Sequence, residues 1–263
     1  MPLTDVLRLL NARSDTPYAG HRLANPFVAT EHGVGVHFAD LQLRSHFFPI
    51  SNTASGSPHG HAAGLSVTGI SSRRTLSPGA VFVLPHSDNE FIYLDRLVRT
   101  LHALNYLTQP TCGNLLLKVH QRHIMSVPTS HGLAFEELLL QCRLLPTQVT
   151  LEIDINGLED VQRLRQAAAN YKSRGYGIAI ARFGHSCVDF GLLEALQPNI
   201  VKLAPALLAS AYRKNGLIDR LHNQGAKVMI EGADTTATRS AAAENGVDLL
   251  QSALALDGLR GDV

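Results

Sequence analysis

The chain has 263 residues, 45% of them apolar, and sets 23 Lys and Arg against 22 Asp and Glu. That length and hydrophobicity suit one large buried core of α/β-barrel size. A formal charge of +1 gives no bulk field to draw in nucleic acid or anionic lipid. No apolar run reaches the roughly 18 residues of a spanning helix, and the N-terminal MPLTDVLRLLNARSD is charged and amphipathic, without the apolar core of a secretory signal. Cys112, Cys142 and Cys187 lack pair spacing and read as free thiols of a reducing compartment. The expectation is a cytoplasmic protein without membrane attachment.

In chain order, the first 40 residues or so show little periodicity beyond a short helix at Leu3–Ala12. Two extended pieces, Leu41–Ile50 and Ala62–Gly69, flank a small, polar loop at Ser51–Gly60, and Leu76–Pro85 reads as a second loop. From Asp88 the pattern is regular. Helical spacing over Asn89–Tyr106 precedes an apolar strand at Asn114–Val119, a helix at Leu133–Leu144 and a strand at Gln148–Ile155. A helix at Leu158–Ser173, a strand at Tyr176–Ala181 and a short helix at Phe190–Leu196 follow. Then come a strand at Ile200–Leu203, a helix at Ala206–Gln224, a strand at Lys227–Ile230, a helix at Thr235–Glu244 and a short strand at Asp248–Leu250. Apolar strands alternating with helices predict a parallel sheet covered on its outer side, and this many units in one chain favour a barrel over a doubly wound sheet.

Polar residues recur at the strand ends of the second half. LEIDI (Leu151–Ile155) carries Glu152, GYGIAIARFGHS (Gly175–Ser186) carries Phe-Gly just past its strand, and NIVKLAP (Asn199–Pro205) puts Lys202 within a strand. KVMIEGADT (Lys227–Thr235) ends its strand on Glu231, and GVDLLQSAL (Gly246–Leu254) places Gln251 after the last one. This order and spacing resembles the EAL family of cyclic di-GMP phosphodiesterase domains, with its Glu-Ile-Thr-Glu, Asp-Asp-Phe-Gly, strand Lys, Glu-Gly-Val-Glu and final Gln. Earlier segments align with it too. HFFPI (His46–Ile50) stands where the family has Tyr-Gln-Pro-Ile, GHAAGLS (Gly60–Ser66) where it has the Glu-Ala-Leu motif, and LLKVH (Leu116–His120) where it has Val-Asn-Val-Ser. The resemblance implies a modified TIM (β/α)8 barrel of EAL type, one domain over residues 41–263, with residues 1–40 as an extension packed on it.

It also implies a degenerate site. The family hydrolyses its nucleotide with two divalent ions held by oxygen ligands. The naming Glu falls on Ala62, the Asn ligand on Lys118, and the Asp pair on Ala181 and Arg182. Glu152, Lys202, Glu231 and Gln251 remain, with Asp234 for the second Glu of Glu-Gly-Val-Glu, as a vestigial site. The nucleotide-holding Gln and Arg fall on Phe48 and Ser66. No catalytic residue set, no metal and no cofactor are therefore expected, and cyclic di-GMP is an unfavoured ligand. Glu152, Glu231 and Asp234 should instead face Lys118, Arg182 and Lys202, with Arg182 or Lys202 bonded directly to Glu152 or Glu231.

His59, His61, His120 and His185 cluster near the expected mouth, but none has metal-clamp spacing, and they read as hydrogen-bonding or loop residues. The resemblance further implies a regulatory module of bacterial cyclic di-GMP signalling, controlling motility, biofilm formation or transcription through a protein partner. A metal-independent cyclic di-GMP receptor and a residual phosphodiesterase with an altered site are the alternatives. Gly184–Leu196, where the family often dimerises, leaves room for a homodimer.

Overall fold

A computed structural model describes residues 3–12, 17–18, 21–22, 26–31, 33–107, 113–127, 130–158, 160–184, 189–204, 207 and 216–255. Helix α1 (Leu3–Ala12) leads into a two-residue pair, β1 (Pro17–Tyr18) with β2 (His21–Arg22), and then into β3 (Phe27–Thr30) and β4 (Gly33–Phe38). A long hairpin, β5 (Leu41–Asn52) and β6 (Pro58–Gly69), is followed by β7 (Thr75–Leu76), a 3-10 helix at Pro78–Val83 and α2 (Asp88–Tyr106). Next come β8 (Asn114–Val119), α3 (Gln121–Ser126), α4 (Leu133–Gln141), β9 (Val149–Asp154), α5 (Val161–Ser173) and β10 (Gly177–Phe183). The chain continues through α6 (Phe190–Leu196), β11 (Ile200–Leu203), α7 (Leu217–Asn223), β12 (Lys227–Glu231), α8 (Thr236–Glu244) and β13 (Leu249–Gln251). No helix among the described residues is long and apolar enough to cross a membrane.

Eight strands close a barrel in the order β5-β6-β8-β9-β10-β11-β12-β13, with β13 returning to β5. The run from β6 to β13 is parallel, so those strands all end at one rim. β5 runs antiparallel to both of its neighbours, which strand periodicity cannot reveal because side chains alternate in the same way in either direction. Polar caps start the helices: Ser87 Oγ accepts from the Glu90 N–H, Asp160 Oδ1 from that of Arg163, Asp189 Oδ1 from that of Leu192, and Thr235 Oγ1 from that of Thr238. The β6–β8 junction requires glycine, since a Cβ on Gly60 would lie 1.9 Å from the Asn114 carbonyl oxygen.

Two apolar layers hold the barrel. Ile50, Ala62, Leu116, Ala179, Ile200, Met229 and Leu249 plug its interior, with Phe48 packed on them. A larger cluster lies between the strands' outer faces and the helices. Burial there pushes the Cys142 thiol up to about 11, as suits an inert core residue; Cys112 and Cys187 lie outside the described residues.

Several elements differ from the sequence expectation. The loop over Ser51–Gly60 shrinks to a turn at residues 53–57, because β5 and β6 pair to its edge. Leu76–Pro85 holds β7 and the 3-10 helix. α3, capped by His120, and strands β3 and β4 are too short or too glycine-bearing to carry periodicity. Of the helix expected at Ala206–Gln224, the structure describes Leu217–Asn223.

β6 pairs with β8 only at Gly60–Ala62, and β5 with β13 only at Ile50–Asn52. The rest of the hairpin therefore rises past the rim as a ribbon, widened by β4 and β3 on one side and β7 on the other. α2 packs beneath it, and Asn105 of α2 ties it down. Asn105 Oδ1 accepts from the Val34 N–H at 2.8 Å, and its Nδ2 donates to the carbonyls of Val34 (2.8 Å) and Leu101 (3.1 Å). Replacing this buried amide orphans backbone groups that water cannot reach. Asn105→Ala is therefore expected to destabilise the fold by about 2–4 kcal/mol in urea unfolding, whereas Asn52→Ala, at the end of β5 with only solvent-exposed side-chain bonds to Ser57, should change stability by less than about 0.5 kcal/mol.

Candidate functional site

The parallel strands deliver their last inward-facing residues to one rim. Alternation along β9 sends Glu152 and Asp154 to the same face, β8 sends Lys118, β11 Lys202, β12 Glu231 and β13 Gln251. With the ribbon and α2 they enclose a cavity of about 770 Å³, which also takes in His46, Phe48, Ala62, Phe82, Asp95, His102, His120, Asn156, Ala181 and Arg182. This is the size and position of an enzyme or ligand site on a barrel fold.

The centre of the rim is an ion pair. Lys202 is 2% exposed and Glu152 5%, and Lys202 Nζ donates to Glu152 Oε2 at 2.7 Å. The same ammonium lies 3.5 Å from Glu231 Oε2, whose side chain is half exposed. Gln251 Nε2 donates to Glu231 Oε1 at 3.2 Å, and its own buried Oε1 has no hydrogen-bond partner among the described residues.

Arg182 goes elsewhere. Ile180 pairs with Val201 and Phe183 with Leu203, so Ala181 and Arg182 together oppose Lys202 alone. That is a β-bulge, with Arg182 in the left-handed region at φ 52°. It carries the guanidinium to Asp154, with Arg182 Nη2 against Asp154 Oδ2. Asp154 Oδ1 accepts from the backbone N–H (3.0 Å) and Nδ2 (2.8 Å) of Asn156. Thus Lys202, and not Arg182, makes the expected bond to Glu152. Asp154 is the partner the sequence reading missed, although its i, i+2 spacing from Glu152 already put it on the same face.

The remaining positions fall as follows. Lys118 is exposed and forms no ion pair among the described residues, although Glu152 is its neighbour in strand register. Ala62 and Ala181 are buried and offer no side-chain oxygen. Asp234 does not line the cavity: its Oδ1 accepts from Ser252 Oγ (2.6 Å) and its Oδ2 from the Ala253 N–H (2.8 Å), so it fastens the segment after β13. Phe48 faces Ala62 across the hairpin, and Ser66 Oγ bonds His46 Nδ1 at 3.0 Å. A Cβ on Gly64 would strike His46 Nε2 at 2.2 Å, so His46 lies where any side chain at position 64 would displace it. His120 stacks on Phe82, with centroids 5.4 Å apart, and its Nδ1 accepts from the Arg122 N–H. His185 lies outside the described residues.

These groups do not suit a pair of divalent ions. An ammonium sits between Glu152 and Glu231, a guanidinium engages Asp154, and Ala62 and Ala181 supply nothing to coordinate. Among the described residues no three His, Cys, Asp or Glu side chains are grouped to hold a metal ion.

At the α2 wall of the cavity lies a second charged cluster that sequence reading did not find: Asp95 and Arg99 are i, i+4 on α2, but His123 joins them only through the packing of α3. Asp95 and Arg99 of α2 and His123 of α3 are all 3% exposed or less. Asp95 Oδ2 accepts from Arg99 Nε (2.9 Å) and Nη2 (2.7 Å), and Asp95 Oδ1 accepts from the His120 N–H at 3.2 Å, tying the end of β8 to α2. Burial works against the Asp95 carboxylate, but Arg99 and His123 hold it below the usual range. Arg99 Nη2 donates to His123 Nε2 at 3.2 Å, which needs an unprotonated Nε2. Burial takes His123 down to about 3, against the opposing pull of Asp95. His102 falls to about 3 as well, through burial and then the neighbouring His46 and Lys118, while its Nδ1 bonds Ser45 Oγ at 2.8 Å.

Comparison with known proteins bears on this arrangement. The sequence model of the EAL domain matches residues 37–253. No curated protein matches the chain by sequence. Among solved structures, Bacillus subtilis YkuI, a protein with an EAL domain in complex with c-di-GMP and calcium, superposes with a TM-score of 0.66 at 18% identity. That match covers 80% of this chain and 53% of YkuI, so the chain spans about half the length of that protein. A standalone EAL protein of Vibrio cholerae in its c-di-GMP-bound form gives 0.64 at 21% identity, covering 82% of this chain and 91% of the other. The EAL domain of Pseudomonas aeruginosa FimX bound to c-di-GMP gives 0.66 at 17% identity, covering 80% and 88%. At these identities the likeness is one of fold.

Two outcomes follow from the buried charges. Lys202→Met leaves Glu152 buried without its bonded cation, and it is expected to cost about 3–5 kcal/mol in urea unfolding. His102 and His123 bind protons more weakly folded than unfolded, where the ordinary value is 6.5. Their contribution is therefore complete above about pH 6.5 and is lost as pH falls towards 3. Stability should rise between pH 4 and pH 6.5 by roughly 1–2 kcal/mol per pH unit, and His102→Gln should flatten that slope in melts across the range.

Proposed function

Because the chain belongs to the EAL domain family, we propose that it is a non-hydrolysing member, working in bacterial cyclic di-GMP-linked regulation through contact with another protein. The family resemblance and the c-di-GMP bound by YkuI, the Vibrio protein and FimX connect it to that nucleotide. The observation that carries the loss of hydrolysis is the pairing of Lys202 with Glu152 and of Arg182 with Asp154 at the rim. Hydrolysis by the family's route needs carboxylates free to hold two cations that activate water and offset phosphate charge. At this rim the carboxylates are already matched by side-chain cations, and Ala62 and Ala181 take the place of others.

A module without chemistry still has a surface, and protein contact is how a pseudoenzyme of this fold would act. The same proposal takes residues 1–40 as an extension of a barrel domain at 41–263, places the protein in the cytoplasm, and leaves the partner's identity and a homodimer through Gly184–Leu196 to be determined. One observation favours a second reading, a metal-independent nucleotide receptor: the 770 Å³ cavity is open to a ligand and carries Lys118.

Incubation of c-di-GMP with the protein and Mg²⁺ or Mn²⁺ is expected to give no linear dinucleotide. Turnover abolished by Glu152→Ala would overturn the proposal and establish a residual phosphodiesterase. Calorimetry with and without the metals should show no affinity tighter than about 100 μM, or ~5.5 kcal/mol. A low-micromolar isotherm without metal would establish the receptor instead.

A further inference from the structure

The rim cavity has two unlike halves. On the side of β9 to β13 the charges are engaged with one another, three carboxylates with two cations: Glu152 and Glu231 share Lys202, and Asp154 holds Arg182. On the side of β5, β6, β8 and α2 the wall is apolar and aromatic, with Phe48, Phe82, Pro78, Val98 and Leu65. Phe48 and Phe82 are only partly buried and both line the space, Phe82 with one face covered by His120 and Phe48 resting on the apolar plug with His46 edge-on to it. Lys118 stands at the edge of this second half. It is exposed although it occupies an inward position on β8, and it makes no ion pair among the described residues.

The charge inventory then limits what could enter. Around the cavity, Asp95, Glu152, Asp154 and Glu231 give four negative charges, and Arg99, Lys118, Arg182 and Lys202 give four positive ones. With these pairs set aside, Lys118 is left with Glu231, which shares Lys202 and projects from β12, four strands away around the eight-stranded barrel, while Glu152, its register neighbour, is already bonded to Lys202. One anionic group beside Lys118 gains a contact without breaking an existing pair. A second negative charge meets no further cation. The aromatic half meanwhile offers ring faces and aliphatic surface to a flat apolar body, which gains from leaving water.

We infer that this recess binds a small, flat, largely apolar molecule bearing one negative charge, with its ring against Phe48 and Phe82 and its anion on Lys118. The site goes beyond the non-hydrolysing role and does not depend on it: a ligand here would stiffen the ribbon above the rim, which carries Phe48, against the barrel, which carries Lys118.

The test uses two probes that differ only in charge, 2-naphthoate and 2-naphthalenemethanol, titrated calorimetrically into the full chain at low salt. Naphthoate should bind about fivefold more tightly than the alcohol, the range of an exposed charge pair. Lys118→Gln should abolish that preference while leaving the alcohol's affinity in place, Lys118→Arg should keep it, and Phe82→Ala should weaken both probes. Thermal melts of each variant separate loss of binding from loss of fold. Equal affinity for the two probes, a preference that survives Lys118→Gln, or no saturable binding up to about 1 mM would overturn the inference. Turnover of c-di-GMP, measured on the same preparation, reports on the non-hydrolysing role separately.

Discussion

An ammonium group shut off from water inside a β-barrel has to be matched by negative charge within a few ångströms, because transfer into the interior costs several kcal/mol for each unpaired ion. Lys202 is in this position: 2% exposed, 2.7 Å from Glu152 and 3.5 Å from Glu231. The strand that carries it, IVKL, is buried on both faces, so its side chain cannot escape to solvent without unpairing β11. The same constraint acts in reverse on Glu152, which is buried near the end of β9 with Lys202 as its bonded cation. Each member fixes the other, and the rim is built around the pair.

The bulge in β10 is the second fixed point. Two residues standing opposite one break the alternation that would have sent Arg182 outward or Ala181 alone inward. The strand tip turns, and a guanidinium arrives over Asp154, which Asn156 already holds from the other side. Arginine suits the place because its planar donors stay charged at any physiological pH. The Lys202 and Arg182 pairs lie on adjacent strands, and together they neutralise the carboxylates of β9 without an external ion.

How far this could be read in the sequence differs from element to element. The barrel strands from Asn114 onward were legible, because runs such as LLLKV and VTLEID have apolar residues on both faces and stand between helices of regular period. Glu152, Lys202, Glu231 and Gln251 were picked out by the resemblance of their strand motifs to the EAL family, which periodicity alone would not have done. The direction of β5 was not, since alternation is the same for parallel and antiparallel strands. β3 and β4 were missed because FVAT is short and GVGVHF is diluted by glycine. At the rim, the balance of charge was readable but not who pairs with whom: Arg182's choice of Asp154 depends on a bulge that no local pattern announces. Asp234 shows the converse error, a motif position whose carboxylate is spent on Ser252 and Ala253. The Asp95–Arg99–His123 cluster depends on how α2 and α3 pack, which is tertiary information.

The packing also couples the substitutions to one another. Phe48 is the direct cross-strand partner of Ala62 and rests on the apolar plug that Ala62 helps to form. A carboxylate restored at position 62 would sit beneath that ring, desolvated and without a cation of its own. Gly64 lets His46 lie across the ribbon, and any larger residue there would displace it. An aspartate restored at position 182 would meet Asp154 in place of the guanidinium, setting like charges in contact. Lys118 adds a positive charge beside Glu152 on the neighbouring strand. Each of these changes would therefore land in surroundings shaped by the other residues of the rim. The charges of this rim are distributed over several strands, so a change at any one position is felt by pairs on its neighbours.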